Sequence, residues 1–152
     1  MPTFDYEFTV HAPQTAVADF HYSSNVKDLT PFPIIAQLHE FEPMGEGSRA
    51  DFTLWFGPFP VNWKVVHSAV GPDGFTDTQV EGPLKSWQHT HSFIAEDPQT
   101  TRVHEHIEYE YKPGLAGILN RLMYSSPALT MLFTMRKMIT RRQVGKIKPA
   151  AA

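Results

Sequence analysis

The segment Trp87–Glu96, WQHTHSFIAE, is followed by the turn-forming residues DPQT (97–100) and a second alternating run, TRVHEHIEYEY (101–111). In an extended chain successive side chains point to opposite faces, so Trp87, His89, His91 and Phe93 share one face, and Gln88, Thr90 and Ser92 the other. If EDPQ is the turn of a hairpin, facing residues have numbers summing to about 196, which sets His91 opposite Glu105, His89 opposite Ile107 and Trp87 opposite Tyr109. Both strands then agree on which face is apolar.

Working outward, the same alternation runs from Ile34 to Tyr111. The runs are IIAQLHEFE, SRADFTLWF, VNWKVVHSAV, FTDTQVEG and the two above, separated by the turn segments MGEG, GPFP, GPDG and PLKS. Six strands with short links predict an antiparallel meander. TFDYEFTV (3–10) adds a strand in front of it. Between them, Pro13 suits the first turn of a helix carrying Val17 and Phe20, and Ser23 or Ser24 caps a second short one that Pro31 and Pro33 end. After Tyr111 the period changes to that of a helix. Leu115, Leu119, Leu122, Leu129 and Phe133 form one stripe, with Ile118, Leu132 and Ile139 beside it. Pro127 is expected to kink or break this helix near Ser125 and Ser126. The predicted class is α+β: an antiparallel sheet of about seven strands, two short helices, and a long C-terminal helix over an internal cavity.

The chain has 152 residues, the size of one domain able to bury a core unaided. It contains no cysteine, which excludes disulfide frameworks, thiolate zinc sites and a thiol nucleophile. The net charge of −3 conceals an asymmetry: RKMITRRQVGKIK, near the C-terminus, carries six basic residues and no acidic one. The acidic remainder is a poor nucleic-acid surface. The basic end suits either a solvated helix C-terminus or a contact with phosphates or anionic lipid. Without an apolar leader or spanning stretch, the expectation is a cytoplasmic protein with no integral membrane association and open oligomeric state. Residues 1–145 read as one domain and 146–152 as a basic, disordered tail.

The element order, together with VHAPQTAVADFH, FTDTQVEGPLKSWQHTHSF and IEYEYKPGLAGIL, resembles the START/Bet v 1-like superfamily, in particular bacterial SRPBCC proteins of polyketide cyclase/dehydrase-like type. The resemblance covers nearly the whole chain and implies the helix-grip fold and its cavity. The family pattern of an acidic residue, an aliphatic residue and a tyrosine at alternate positions is met by Glu105, Ile107 and Tyr109. Glu105 stands where an aspartate is more usual, and Pro127 interrupts a helix that normally runs through.

On the hairpin before WQHTHSF, facing residues are expected to sum to about 168, placing Asp77 opposite His91 and Gln79 opposite His89. A polar row of Asp77, His91 and Glu105 then crosses three strands. His91 and His89, oriented by Asp77 and Glu105, are the candidate acid/base groups. Trp87, Phe93, Phe75, Gln79, Ile107, Tyr109 and Trp63, with Leu122 and Leu129 from the covering helix, are expected around a ligand. Slipping the register by one would gather His89, His91, His104 and His106 into a metal-like patch, but would turn one strand's apolar set outward. His104, His106, Glu108 and Glu110 are therefore read as a solvated outer face, with no metal and no cofactor assigned. The face of His67 is left open.

Three functions follow in order of preference. The first is binding of a small hydrophobic or aromatic ligand, lipid or polyketide-like, as a carrier or sensor. The second is a cofactor-free polyketide cyclase or dehydratase using histidine acid/base chemistry. The third is a protein-interaction module with a closed cavity.

Overall fold

A computed structural model describes residues 2–24 and 26–144. The expected tail 146–152 lies outside the described residues. Strand β1 (Thr3–Val10) is followed by helices α1 (Gln14–Ser23) and α2 (Val26–Leu29), then by β2 (Ile35–Phe41), β3 (Arg49–Phe56), β4 (Phe59–Gly71), β5 (Gly74–Glu81), β6 (Ser86–Asp97) and β7 (Thr100–Glu110), and finally by α3 (Gly114–Met123) and α4 (Ser126–Val144). The seven strands form one antiparallel sheet in the order β1-β7-β6-β5-β4-β3-β2, so the meander runs unbroken from β2 to β7 and the first strand returns beside the last. Irregular register at Leu38/Glu40, Lys64/Val65, Ser68/Gly71 and Ala95/Asp97 marks where paired strands bend.

The sheet's inner face carries two apolar clusters. One joins Phe4, Phe52, Trp63, Val65, Ile107 and Tyr109 to Leu129 and Phe133 of α4. The other packs Phe8, Val10, Phe75, Phe93 and Val103 against Val17 and Phe20 of α1 and Val144 of α4. α4 crosses the sheet with the Phe133 ring centroid 5.7 Å from Phe4 and 5.3 Å from His89.

The expected register of β6 and β7 holds: Trp87 pairs with Tyr109, His89 with Ile107 and His91 with Glu105. That of β5 and β6 requires a correction. Asp77 faces His89 and Phe75 faces His91, a displacement of two residues along the strand. The cause is the connection after Glu81, where Gln79 is drawn out of the row: its Nε2 donates to the Leu84 carbonyl (2.9 Å) and its Oε1 accepts from the Leu84 amide (3.4 Å). Gln79 therefore braces a loop that buries Leu84, and does not stand opposite His89.

The C-terminal helix is broken where Pro127 predicts, at Tyr124–Ser125, and Pro127 occupies the first turn of α4, where its missing N–H leaves no helical bond unmade. The apolar stripe requires a second correction. Leu129 and Phe133 are buried, but Leu115, Ile118, Leu119 and Leu122 on α3 are 85, 62, 59 and 74% exposed. The break frees α3 to turn a different side inward. Its buried residues are Gly117 and Asn120. A Cβ on Gly117 would meet the Lys112 carbonyl oxygen at 1.9 Å, so only glycine permits this approach. Asn120 accepts from the Lys112 amide (3.0 Å) and donates to the Pro83 carbonyl (3.1 Å).

Candidate functional site

A cavity of about 300 Å³ lies between the sheet and α4. Ala50, Phe52, Leu54, Trp63 and Val65 of β3 and β4 form one wall, and Leu129, Leu132 and Met135 of α4 the roof; α2 and the loop to Ile34 border its mouth with the exposed Met131. Aromatic rings stiffen the wall: Trp63 meets Trp87 edge-on at 5.5 Å, and Tyr124 lies 6.1 Å from Trp63 and 5.9 Å from Trp87. Trp63 Nε1 and Tyr124 Oη are buried with no partner beyond each other among the described residues; burial raises the Tyr124 pKa and the Trp63 N–H partly offsets it.

The other end of the cavity is polar. Asp77 Oδ2 accepts a hydrogen bond from His91 Nε2 (2.9 Å), and Glu105 Oε2 accepts one from His89 Nε2 (2.7 Å). His91 Nδ1 lies 2.8 Å from the same Glu105 oxygen, and His67 Nε2 lies 3.0 Å from Asp77 Oδ1; both are ion-pair distances without in-line hydrogen-bond geometry. The His91 ring stacks on Phe75 at 4.1 Å and lies 3.8 Å from His89. Alternation along β6 delivers His89 and His91 to this face, and alternation along β7 brings Glu105 beneath them.

The electrostatics follow from burial and these contacts. Burial opposes a charge on His91, but the Glu105 and Asp77 carboxylates outweigh it and raise its pKa to about 9. Burial, reinforced by the charge on His91, lowers His89 to about 4. Burial likewise lowers His21, whose Nδ1 donates to the Val17 carbonyl at 2.8 Å, to about 4. For Asp77 burial is overcome by the close contacts of His67 and His91, and for Glu105 by the charge and close contact of His91 together with the hydrogen bond and charge of His89. Both carboxyls are held far below the usual carboxylate range. At neutral pH the row is thus two carboxylates around an imidazolium, with His89 and His21 neutral.

The residues expected at the site separate into three groups. Asp77, His89, His91, Trp87, Phe75, Trp63 and Leu129 border the cavity. Glu105 sits behind the histidines, buried and out of the cavity wall, while Phe93, Ile107 and Tyr109 are core residues. Gln79 and the exposed Leu122 lie elsewhere.

The sequence reading missed His21 and Arg136 and left the face of His67 open. His67 shares its strand face with the buried Trp63 and Val65, a signal present in the alternation. Arg136 follows Leu129 and Phe133 at helical spacing, so it belongs to the inward stripe and not to the solvated end. Its guanidinium is 5.4 Å from the Phe133 ring centroid and borders the cavity. Burial lowers its pKa, opposed by the nearby Glu105 and Asp77 charges.

Two clusters bring three ligand-type atoms within 4.8 Å of one another: Asp77, His89 and His91 inside, and Asp5, His104 and His106 outside. In the inner cluster a cation would have to displace the proton that His91 holds between carboxylates. In the outer one, Asp5 Oδ1 accepts from His104 Nε2 (2.8 Å) and His106 Nδ1 (2.7 Å), forming a surface ion-pair group. The four histidines of the slipped register lie on opposite faces of the sheet.

No known family model matches the chain, and no curated protein matches it by sequence. Solved structures do match. The Zhui aromatase/cyclase from Streptomyces sp. R1128 superposes with a TM-score of 0.75 at 15% identity, covering 99% of this chain and 98% of that one. Norcoclaurine synthase from Thalictrum flavum, in complex with dopamine and hydroxybenzaldehyde, gives a TM-score of 0.72 at 18% identity over 98% of this chain and 89% of the other. Ginseng major latex-like protein 151 from Panax ginseng gives 0.67 at 16% identity, over 93% and 96%. No helix among the described residues is long and apolar enough to cross a membrane. The seven-stranded antiparallel sheet, the C-terminal helix across it and these matches together show that the chain has the helix-grip fold.

Proposed function

We propose that this protein binds a small apolar or aromatic molecule bearing an oxygen function, such as a carbonyl or phenol, in the cavity beneath α4, as a carrier or sensor. The observation that carries the reading is a cavity with apolar walls bordered by three polar side chains: Trp63 and Tyr124, whose Nε1 and Oη have no partner beyond each other among the described residues, and Arg136, whose guanidinium lies over the Phe133 ring. A volume of about 300 Å³ sits at the lower end of ligand pockets and favours a compact molecule over a long acyl chain. An open cavity weighs against the closed interaction module.

His91 is a poor general base in this arrangement, because both ring nitrogens face carboxylates and the ring is already protonated at neutral pH. One observation favours a cyclase or dehydratase as the second reading. His89 is neutral and donates through Nε2 to Glu105, which leaves Nδ1 as its proton acceptor. His89→Gln would then abolish turnover of a true substrate while ligand retention changes only modestly.

The test begins with native mass spectrometry and organic extraction of the protein from its own cells, followed by titration of the released compound against tryptophan fluorescence. Saturable one-site quenching is expected, weakened at least tenfold by Met135→Trp, which fills the cavity from α4. An undiminished response in that variant, or the absence of any compound that saturates the wild type, overturns the reading.

A further inference from the structure

Helix α3 presents its apolar side to solvent. At about 100° per residue, Leu115, Ile118, Leu119 and Leu122 fall within an arc of roughly 100°, the width of a stripe that normally faces a core. All four are more than half exposed, while the opposite side is anchored through Gly117 and Asn120. The hydrogen bonds of Asn120 to residues on two other segments fix this orientation. A convex helix surface of four large aliphatic side chains is therefore left uncovered by the described residues.

The charge on and beside α3 indicates what covers it. α3 itself carries Arg121 and no carboxylate, Lys112 just before it donates to the Gly82 carbonyl (3.1 Å), and the nearby Glu81 and Glu110 are paired with Lys64 and Lys85. Arg121 is on α3 itself, exposed, with its guanidinium 5.6 Å from the Tyr111 ring centroid. A second copy docked through this same face would set cation against cation. A protein partner would need a groove shaped to the helix, while a lipid interface accepts a convex apolar helix directly and attracts flanking cations when its headgroups are anionic.

We propose that α3 is a docking element for anionic lipid surfaces: Leu115, Ile118, Leu119 and Leu122 enter the boundary between headgroups and acyl chains, and Arg121 stays among the headgroups. The next two residues, Met123 and Tyr124, border the cavity, so the docked helix connects directly to the cavity wall. The docking does not depend on what the cavity holds.

The test is co-sedimentation of the full chain with large unilamellar vesicles of phosphatidylcholine and phosphatidylglycerol in equal parts, and with phosphatidylcholine alone. Binding to the anionic vesicles is expected, reduced at least roughly tenfold by the double substitution Leu119→Ser and Leu122→Ser, since two buried leucines are lost. Arg121→Gln should weaken binding severalfold on the anionic vesicles only. All three positions are exposed, and circular dichroism will verify that the variants remain folded. Undiminished vesicle binding by the double variant shows attraction through charge alone and overturns the proposal, as does failure of the wild type to bind anionic vesicles. A micromolar dimer in sedimentation equilibrium that the double variant converts to monomer, with vesicle binding unchanged, assigns the face to self-association and also overturns it.

Discussion

Replacing Glu105 by Gln removes one of the two carboxylates around His91 while preserving the shape of the side chain. The folded-state pKa of His91, about 9, lies above its ordinary value of 6.5. A raised histidine contributes stability that is fully present below 6.5 and is lost as pH rises through about 9. The separation between those values corresponds to on the order of 3 kcal/mol. With Glu105 neutralised, burial regains the upper hand, His91 gives up its proton near or below neutrality, and His89 loses its charged acceptor. The variant should therefore be less stable than wild type by roughly 3 kcal/mol at pH 6, the cost expected for breaking a buried pair, with the gap narrowing by pH 10. The assay is urea denaturation of both proteins at pH values from 6 to 10, with the His91 imidazole followed by NMR. The exposed Asp5–His106 pair also raises a histidine pKa, so only the part of the slope that Glu105→Gln removes belongs to His91. A wild-type stability that is flat between pH 6.5 and 9, or a His91 resonance titrating near 6.5, refutes the reasoning.

The acid side runs the other way. His89 and His21, lowered to about 4, oppose folding as pH falls from 6.5 towards 4, and the depressed Asp77 and Glu105 carboxyls lose their contribution at lower pH still, so melting temperature should drop steeply below pH 6. Phe133→Ala, at a site 1% exposed, should cost about 3–5 kcal/mol in denaturant unfolding, whereas Leu122→Ala, at 74% exposure, should change stability by less than about 0.5 kcal/mol; equal costs would contradict the outward orientation of α3. Pro127→Ala should alter stability by less than about 1 kcal/mol, because the proline occupies a first helical turn.

The meander and its inner face were legible because alternation is a direct geometric consequence of extended backbone. The pairing of β6 with β7 could be read from a single turn. The pairing of β5 with β6 could not, because Gln79 binds across the connection that follows and shifts the strands by two. A shift of two preserves parity, so Asp77 still reached the correct face and meets His91 along a diagonal. Leucine spacing made α3 a helix without saying which way its stripe faces. That depends on Asn120 and on a glycine approach to Lys112, contacts between distant segments that no local pattern encodes. Arg136 was hidden by a sufficient alternative, since cations suit a helix C-terminus whether or not one of them turns inward.

The polar end of the cavity itself bears on function. Two carboxylates and one imidazolium on an apolar floor are costly to desolvate, and well-packed apolar residues of similar volume would serve stability equally well or better. The charges nevertheless nearly balance: Asp77 and Glu105 are offset by His91 through direct contact and by Arg136 through proximity alone. Among the described residues Arg136 therefore makes no carboxylate contact, beside a fixed array of dipoles. An oxygen of a neutral ligand can accept from that guanidinium without disturbing the charge balance, whereas an anionic group adds a negative charge close to the two carboxylates. On the proposed function, a carbonyl or phenol is expected to bind at the inner end of the cavity in preference to a carboxylate, and the buried charges would then have a role that stability alone does not supply.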